Sequence, residues 1–111
     1  MTKHGVLGGF ELLVLLALMR LGDDAYGVPI SKEIEASRGH SVSIGSIYIT
    51  LDRLERKGLV SSTLGEPTAA RGGRAKTYFH LTGKGLREVR QARRTLIRLW
   101  RGVPQLEGDL V

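Results

Sequence analysis

The residues able to do chemistry fall into two unequal groups. A catalytic or metal site would need the first, and it is sparse. His4, His40 and His80 are scattered, none has a spacing such as His-x-x-x-His, and there is no cysteine. No nucleophile–base constellation appears, and the Gly8-Gly9 pair is not followed by a phosphate-loop pattern. No enzyme, no metal site and no cofactor are therefore expected. The second group is rich. Ser43, Gly45, Ser46, Ile49, Thr50, Arg53 and Lys57 crowd into one stretch, and Arg71, Gly73, Arg74 and Lys76 follow. Small hydroxylated and basic groups of this kind donate hydrogen bonds to base edges and phosphates. Recognition of a nucleic acid is the chemistry they suit.

The first of those stretches must be carried by a helix. Ile44, Ile47, Tyr48, Leu51 and Leu54 step by three, one, three and three, which places them on one stripe. Gly45, Ser46, Ile49, Thr50, Arg53 and Lys57 fall on the opposite front. Ser43 is the expected N-cap, because its hydroxyl can accept from a free N–H of the first turn. Gly58 is the expected stop, since glycine takes the left-handed conformation without a Cβ clash. An ordinary core helix with a solvated face has the same pattern. The flanking segments decide between the two.

Upstream, Gly9 to Leu21 reads as a helix whose run Leu12–Met19 is apolar on nearly every side. That run is far shorter than the roughly 18 residues of a membrane span. A small domain rarely covers such a helix completely, so Phe10, Leu13 and Leu16 are expected to meet a second subunit. A second helix is expected within the stretch Ala25–Ala36, after Tyr26-Gly27, with Pro29 in its first turn and Gly39 closing it. Two short helices joined by a turn, the second with a polar front, form a helix-turn-helix pattern.

Downstream, the period changes to two. Leu59–Leu64 and Ala75–Leu81 read as strands, and the glycines and proline between them as turn chemistry. The hairpin tip is Arg71-Gly72-Gly73-Arg74, suited to phosphate or a narrow minor groove. Thr82 is positioned to cap a last helix. Gly83 and Gly85 lower helical propensity in its first turn, so fraying is expected there. Val89, Ala92, Leu96, Leu99 and Val103 then step at coiled-coil spacing, and Ile97 and Trp100 widen the stripe. The hairpin is too small to cover such a helix, so it is expected to dimerise against the first helix of a partner. Gly102 and Pro104 end it.

The composition agrees. A chain of 111 residues suits one compact domain, and its 41% apolar content argues against disorder. The net charge is +6. Lys84 to Arg101 holds seven basic groups against Glu88 alone, and Arg71, Arg74 and Lys76 add to the surplus. The rest of the chain is mildly acidic. A local basic surplus suits a polyanion partner, although arginines on an exposed helix also serve as plain solvated charge. No cleavable signal pattern opens the chain, and a cytoplasmic protein is expected.

At this point the residues carry a resemblance. Gly45-Ser46-Ile47-Tyr48, Leu51, Arg53-Leu54-Glu55 and Gly58-Leu59-Val60 are followed by Gly73-Arg74, Tyr78, Leu81-Thr82 and Gly85. Tyr26-Gly27 stands before the second helix. Together these resemble the PadR family of bacterial transcriptional regulators over roughly residues 9 to 100. The resemblance implies a mainly α fold with a small β-hairpin: a winged helix-turn-helix with a C-terminal dimerisation helix. It implies promoter binding as a homodimer, usually as a repressor. It places Tyr48, Leu51 and Leu54 toward the core, and Gly45, Ser46, Ile49, Thr50 and Arg53 toward DNA. Many members have Pro where this chain has Ile49, and the short C-terminal region resembles members with a single dimerisation helix.

The expected organisation is a DNA-binding domain over residues 1–82, a dimerisation helix over 83–103 and a flexible tail over 104–111. In the major groove, Ser46 and Thr50 would donate to bases or phosphates and Ile49 would meet a thymine methyl. Arg53 and Lys57 are expected on phosphates. The expected dimer interface is Phe10, Leu13, Leu16, Val89, Ala92, Leu96, Leu99, Trp100 and Val103, and the partner is double-stranded DNA. Two other readings stay open. Trp100 could stack on a planar aromatic effector at the interface, or the winged helix could mediate protein contact without DNA.

Overall fold

The computed structural model describes residues 7–66 and 75–108. Helix α1 spans Gly9–Leu21, α2 Gly27–Arg38 and α3 Ile44–Arg56. Strands β1 (Val60–Leu64) and β2 (Thr77–Leu81) follow, and α4 spans Gly83–Trp100. The two strands pair antiparallel, Val60 opposite Leu81 and Leu64 opposite Thr77. One core joins all of these elements. Val14, Leu15 and Leu18 of α1 meet Ile30 and Ile34 of α2, and Ile47, Leu51 and Leu54 of α3. Phe79 of β2 and Val89 of α4 complete it.

Local signals account for most element ends. Ser43 Oγ accepts from Ser46 N at 3.3 Å, and Thr82 Oγ1 accepts from Gly85 N at 3.0 Å. Gly58 has φ +79° immediately after α3. The α2–α3 turn is held by Glu35, whose carboxylate accepts from Val42 N at 3.0 Å.

α2 starts at Gly27, and Ala25 O, which accepts from Phe79 N at 2.8 Å, keeps the segment before it extended beside the hairpin. Three features differ from expectation. α4 ends at Trp100, short of Val103, because Arg101 is extended and Gly102 takes a positive φ. The first turn of α4 is held close where fraying was expected. A Cβ on Gly85 would collide with the Leu59 carbonyl oxygen, so glycine there permits close approach of α4 to the segment between α3 and β1. Pro104–Leu106 forms a 3-10 turn within the stretch expected to be a flexible tail.

Candidate nucleic-acid interface

The outward face of α3 is set by what its other side buries. Ile47, Thr50, Leu51 and Leu54 point into the core. The residues farthest from them, spaced four, three and four apart, are Gly45, Ile49, Asp52 and Arg56, all exposed. Ile49 is 64% exposed, a large apolar side chain turned to solvent. Ser46 and Arg53 flank this line on one side, and Tyr48 on the other, all exposed. Asp52 and Arg56 form an ion pair one turn apart. Neither was expected among the site residues. Their signal lay in the same spacing that marks Gly45 and Ile49.

Three expected placements are corrected. Thr50 is only 4% exposed. It lies one position from Leu51 on the buried arc, so it cannot present its hydroxyl to a groove. Lys57 is turned inward: its Nζ donates to Glu11 Oε2 at 2.8 Å and its side chain is 17% exposed. Tyr48 is half exposed and not core-facing. Its ring lies over Gly27, filling the space a Cβ would take.

Glu11 is the residue behind this face that its own sequence context conceals, because it sits inside an apolar helix. Its Oε1 accepts from Gly8 N at 2.9 Å, while Arg53 Nη1 stands 3.8 Å from Oε2. Burial pushes its carboxyl pKa up. The hydrogen bonds from Lys57 and Gly8 and the charges of Lys57 and Arg53 outweigh that, and hold it below its usual range. Arg53 thus faces outward with a carboxylate behind it.

On the wing, the Lys76 ammonium lies 4.4 Å from the centre of the Tyr26 ring, a cation–π contact. Tyr26 meets Tyr78 edge-on at 5.4 Å. Arg71, Gly73 and Arg74 lie outside the described residues. His40 contacts Arg38 at 2.8 Å and His80 contacts Thr63 at 3.0 Å. Among the described residues no group of His, Asp and Glu is placed to hold a metal ion. No described helix is long and apolar enough to cross a membrane.

The expected dimer residues divide by exposure. Leu16, Leu96, Leu99 and Trp100 are exposed, whereas Phe10, Leu13, Ala92 and Val103 are half-buried. Val89 is buried in its own chain's core, because it faces α1 of the same chain. Between α1 and α4 runs an apolar groove of about 440 Å³ lined by Leu12, Leu16, Val89, Leu96 and Trp100, with Arg93 at its edge.

A helix pair with an exposed second helix, followed by a β-hairpin, defines a winged helix-turn-helix. Residues 15–91 match the transcriptional regulator PadR-like family, and the chain belongs to that family. It is a DNA-binding transcriptional regulator, not an enzyme. A PadR family transcriptional regulator from Eggerthella lenta DSM 2243 is similar at 28% identity and TM-score 0.67, over 88% of this chain and 83% of that one. A PadR-like transcriptional regulator from Bacillus cereus strain ATCC 14579 is similar at 25% identity and TM-score 0.71, over 89% and 91%. A PadR family regulator from Clostridium difficile R20291 shares the fold at 24% identity and TM-score 0.71, over 91% and 100%. A comparison with curated proteins finds no match.

Proposed function

We propose that this regulator is a cytoplasmic homodimer that represses transcription from a pseudo-palindromic promoter site. The observation that carries the reading is the pairing of two exposed surfaces on one fold. One is the outward face of α3, the line of Gly45, Ile49, Asp52 and Arg56 with Ser46 and Arg53 beside it. The other is the apolar face of α1 and α4, where Leu99 is 69% exposed. A two-fold axis through the second face presents two copies of the first to one face of a duplex. Half-sites then lie about one helical turn, ~34 Å, apart. A dimer seated on a promoter excludes polymerase by volume alone.

Residues 1–82 serve as the DNA-binding domain in this reading and α4, Gly83–Trp100, as the dimerisation helix, with Val103 just beyond its end. Ser46, Ile49 and Arg53 read or grip the major groove, with Ser43 and Gly45 at the helix entry. Arg71, Gly73, Arg74 and Lys76 hold the flanking backbone or minor groove. Sedimentation of the free protein and anisotropy of labelled upstream duplex, titrated with salt and random competitor, test it. A dimer that binds in spite of competitor, with affinity falling steeply as salt rises, supports the reading. A monomer, or no binding at low salt, ends it.

A second reading concerns the same face. Trp100 lines the groove of about 440 Å³ and is itself exposed, which favours a planar aromatic effector stacked there. Quenching of Trp100 fluorescence by planar dyes, with binding of the dye itself lost in Trp100→Ala, is the expected sign. Dyes that leave the fluorescence unchanged exclude it.

A further inference from the structure

Lys57 was expected on a DNA phosphate, and its surroundings give it a different task. Its side chain leaves the end of α3 and donates to Glu11 Oε2 of α1 at 2.8 Å. Glu11 is itself only 7% exposed, so the pair is withdrawn from solvent. The main chain at the same point runs to α4. Lys57 O accepts from Lys84 Nζ at 2.9 Å, and Gly58 O accepts from Thr82 Oγ1 at 2.7 Å. Leu59 O accepts from Thr82 N at 3.1 Å, against Gly85. Three consecutive carbonyls beyond α3 are thus tied to the start of α4, and the side chain of the first residue is tied to α1. These include carbonyls that a helix end leaves without partners.

We infer that Lys57 is a positioning residue: with Glu11 it locks the angle of α3 to α1 and α4, and so fixes the half-site spacing a dimer accepts. The inference rests on the homodimer reading above. The two helices joined at Lys57 are those bearing the exposed Leu16, Leu96, Leu99 and Trp100, where the second copy is proposed to sit. The Lys57 ties act at the C-terminal end of the recognition helix, beside Arg53, and add to the contacts of Glu35 and Tyr48 nearer its start, where Ser46 and Ile49 lie. A helix of 13 residues is about 20 Å long. A rotation of about 10° at the held end moves the far end by about 3.5 Å, close to the 3.4 Å rise of one base pair. Loosening the lock therefore blurs spacing before it abolishes contact.

The test uses duplexes selected from a random library by the wild-type protein, with the central spacer then changed by one or two base pairs. The variants are Lys57→Gln, Glu11→Gln, and both together, the last being a neutral pair that still hydrogen-bonds if either single variant fails to fold. Wild type is expected to lose about tenfold or more in affinity for a one-base-pair change, and each single variant threefold or less. The double variant is expected to recover most of the spacing preference. In all of them the slope of log affinity against log salt is expected to stay unchanged.

A slope shallower by about one per protomer in Lys57→Gln and in the double variant overturns the inference, because it marks a lost phosphate contact. Unchanged spacing preference with only a lower melting temperature also overturns it, leaving a purely structural pair. Wild-type protein that sediments as a monomer overturns the homodimer reading first and the inference with it. A dimer that shows no spacing preference overturns the inference alone.

Discussion

The Tyr48 ring of α3 occupies the space beside Gly27 of α2 that a Cβ would need. This contact sets how closely the two helices of the helix-turn-helix approach, and it explains why glycine follows Tyr26 at the start of α2. Gly27→Ala must push the ring outward. The expected cost is about 1–3 kcal/mol of stability, as for other small-to-large changes in packed sites. Combined with Tyr48→Ala, the same change is expected to cost much less than the sum of the two. Thermal melts of the four proteins check this, and additive effects would reject the contact as the cause.

Thr50 and Ile49 are neighbours with opposite fates. Thr50 is buried, so Thr50→Val is expected to preserve sequence preference. Ile49 stands on the outward line, and Ile49→Ala is expected to weaken specific binding by about 1 kcal/mol, the scale of burying one or two methyl groups. Replacing thymine by uracil in the selected duplex should cost wild type a similar amount and Ile49→Ala almost nothing. Anisotropy titrations at fixed salt make the comparison.

Lys76 is held over the Tyr26 ring, which steers an otherwise flexible cation toward the wing side of α2. Lys76→Gln is expected to weaken binding on all duplexes alike and to lower the salt slope by about one per protomer. Tyr26→Phe retains the ring face and should leave binding unchanged, whereas Tyr26→Leu should fall between the two. A change in sequence preference for any of the three would contradict this role.

Glu11 gives stability a defined pH dependence. Its pKa in the fold lies below the ordinary value of 4.5. A carboxyl of this kind contributes stability above its unfolded pKa and loses it as pH falls through the folded one. Wild type should therefore lose its advantage over Glu11→Gln on acidification, with the two curves converging below the usual carboxylate range. Denaturant melts across that range supply the test. A gap that stays constant or widens on acidification would mean that the Glu11 charge contributes nothing.

Leu99 is the most exposed apolar residue of the α4 stripe. Because it packs little in its own chain, Leu99→Glu should leave the melting of the isolated fold nearly unchanged. It should weaken self-association by about 2 kcal/mol or more, the loss expected at a central interface position. Sedimentation across a concentration series reads the shift. An unchanged mass distribution would place the dimer contact elsewhere.

Much of the architecture was legible in the chain because its causes are local. The span of α1 follows from an apolar run ending at Gly22. The starts of α3 and α4 follow from Ser43 and Thr82, whose hydroxyls cap turns within three residues. The hairpin follows from a change of period, and the family was readable from its motif residues, although Gly27, Tyr48 and Gly85 among them act through tertiary contacts. The front of α3 was readable to within one position on the helix, which admitted Ile49 but also Thr50 and missed Asp52 and Arg56. Which residues sit at the edge of a buried arc depends on where α1 and β1 press, not on spacing alone. The rest depends on pairs far apart in sequence. Lys57 is drawn inward by Glu11, 46 residues away, and the stretch before α2 is extended because Phe79 claims the carbonyl of Ala25. Gly85 looked like a weak helix start until the Leu59 carbonyl came to lie against it. Spacing along the chain identifies the side chains that can share a face. Only tertiary packing decides which of them reach water, because burial and ion pairing are settled by whatever arrives from elsewhere in the chain.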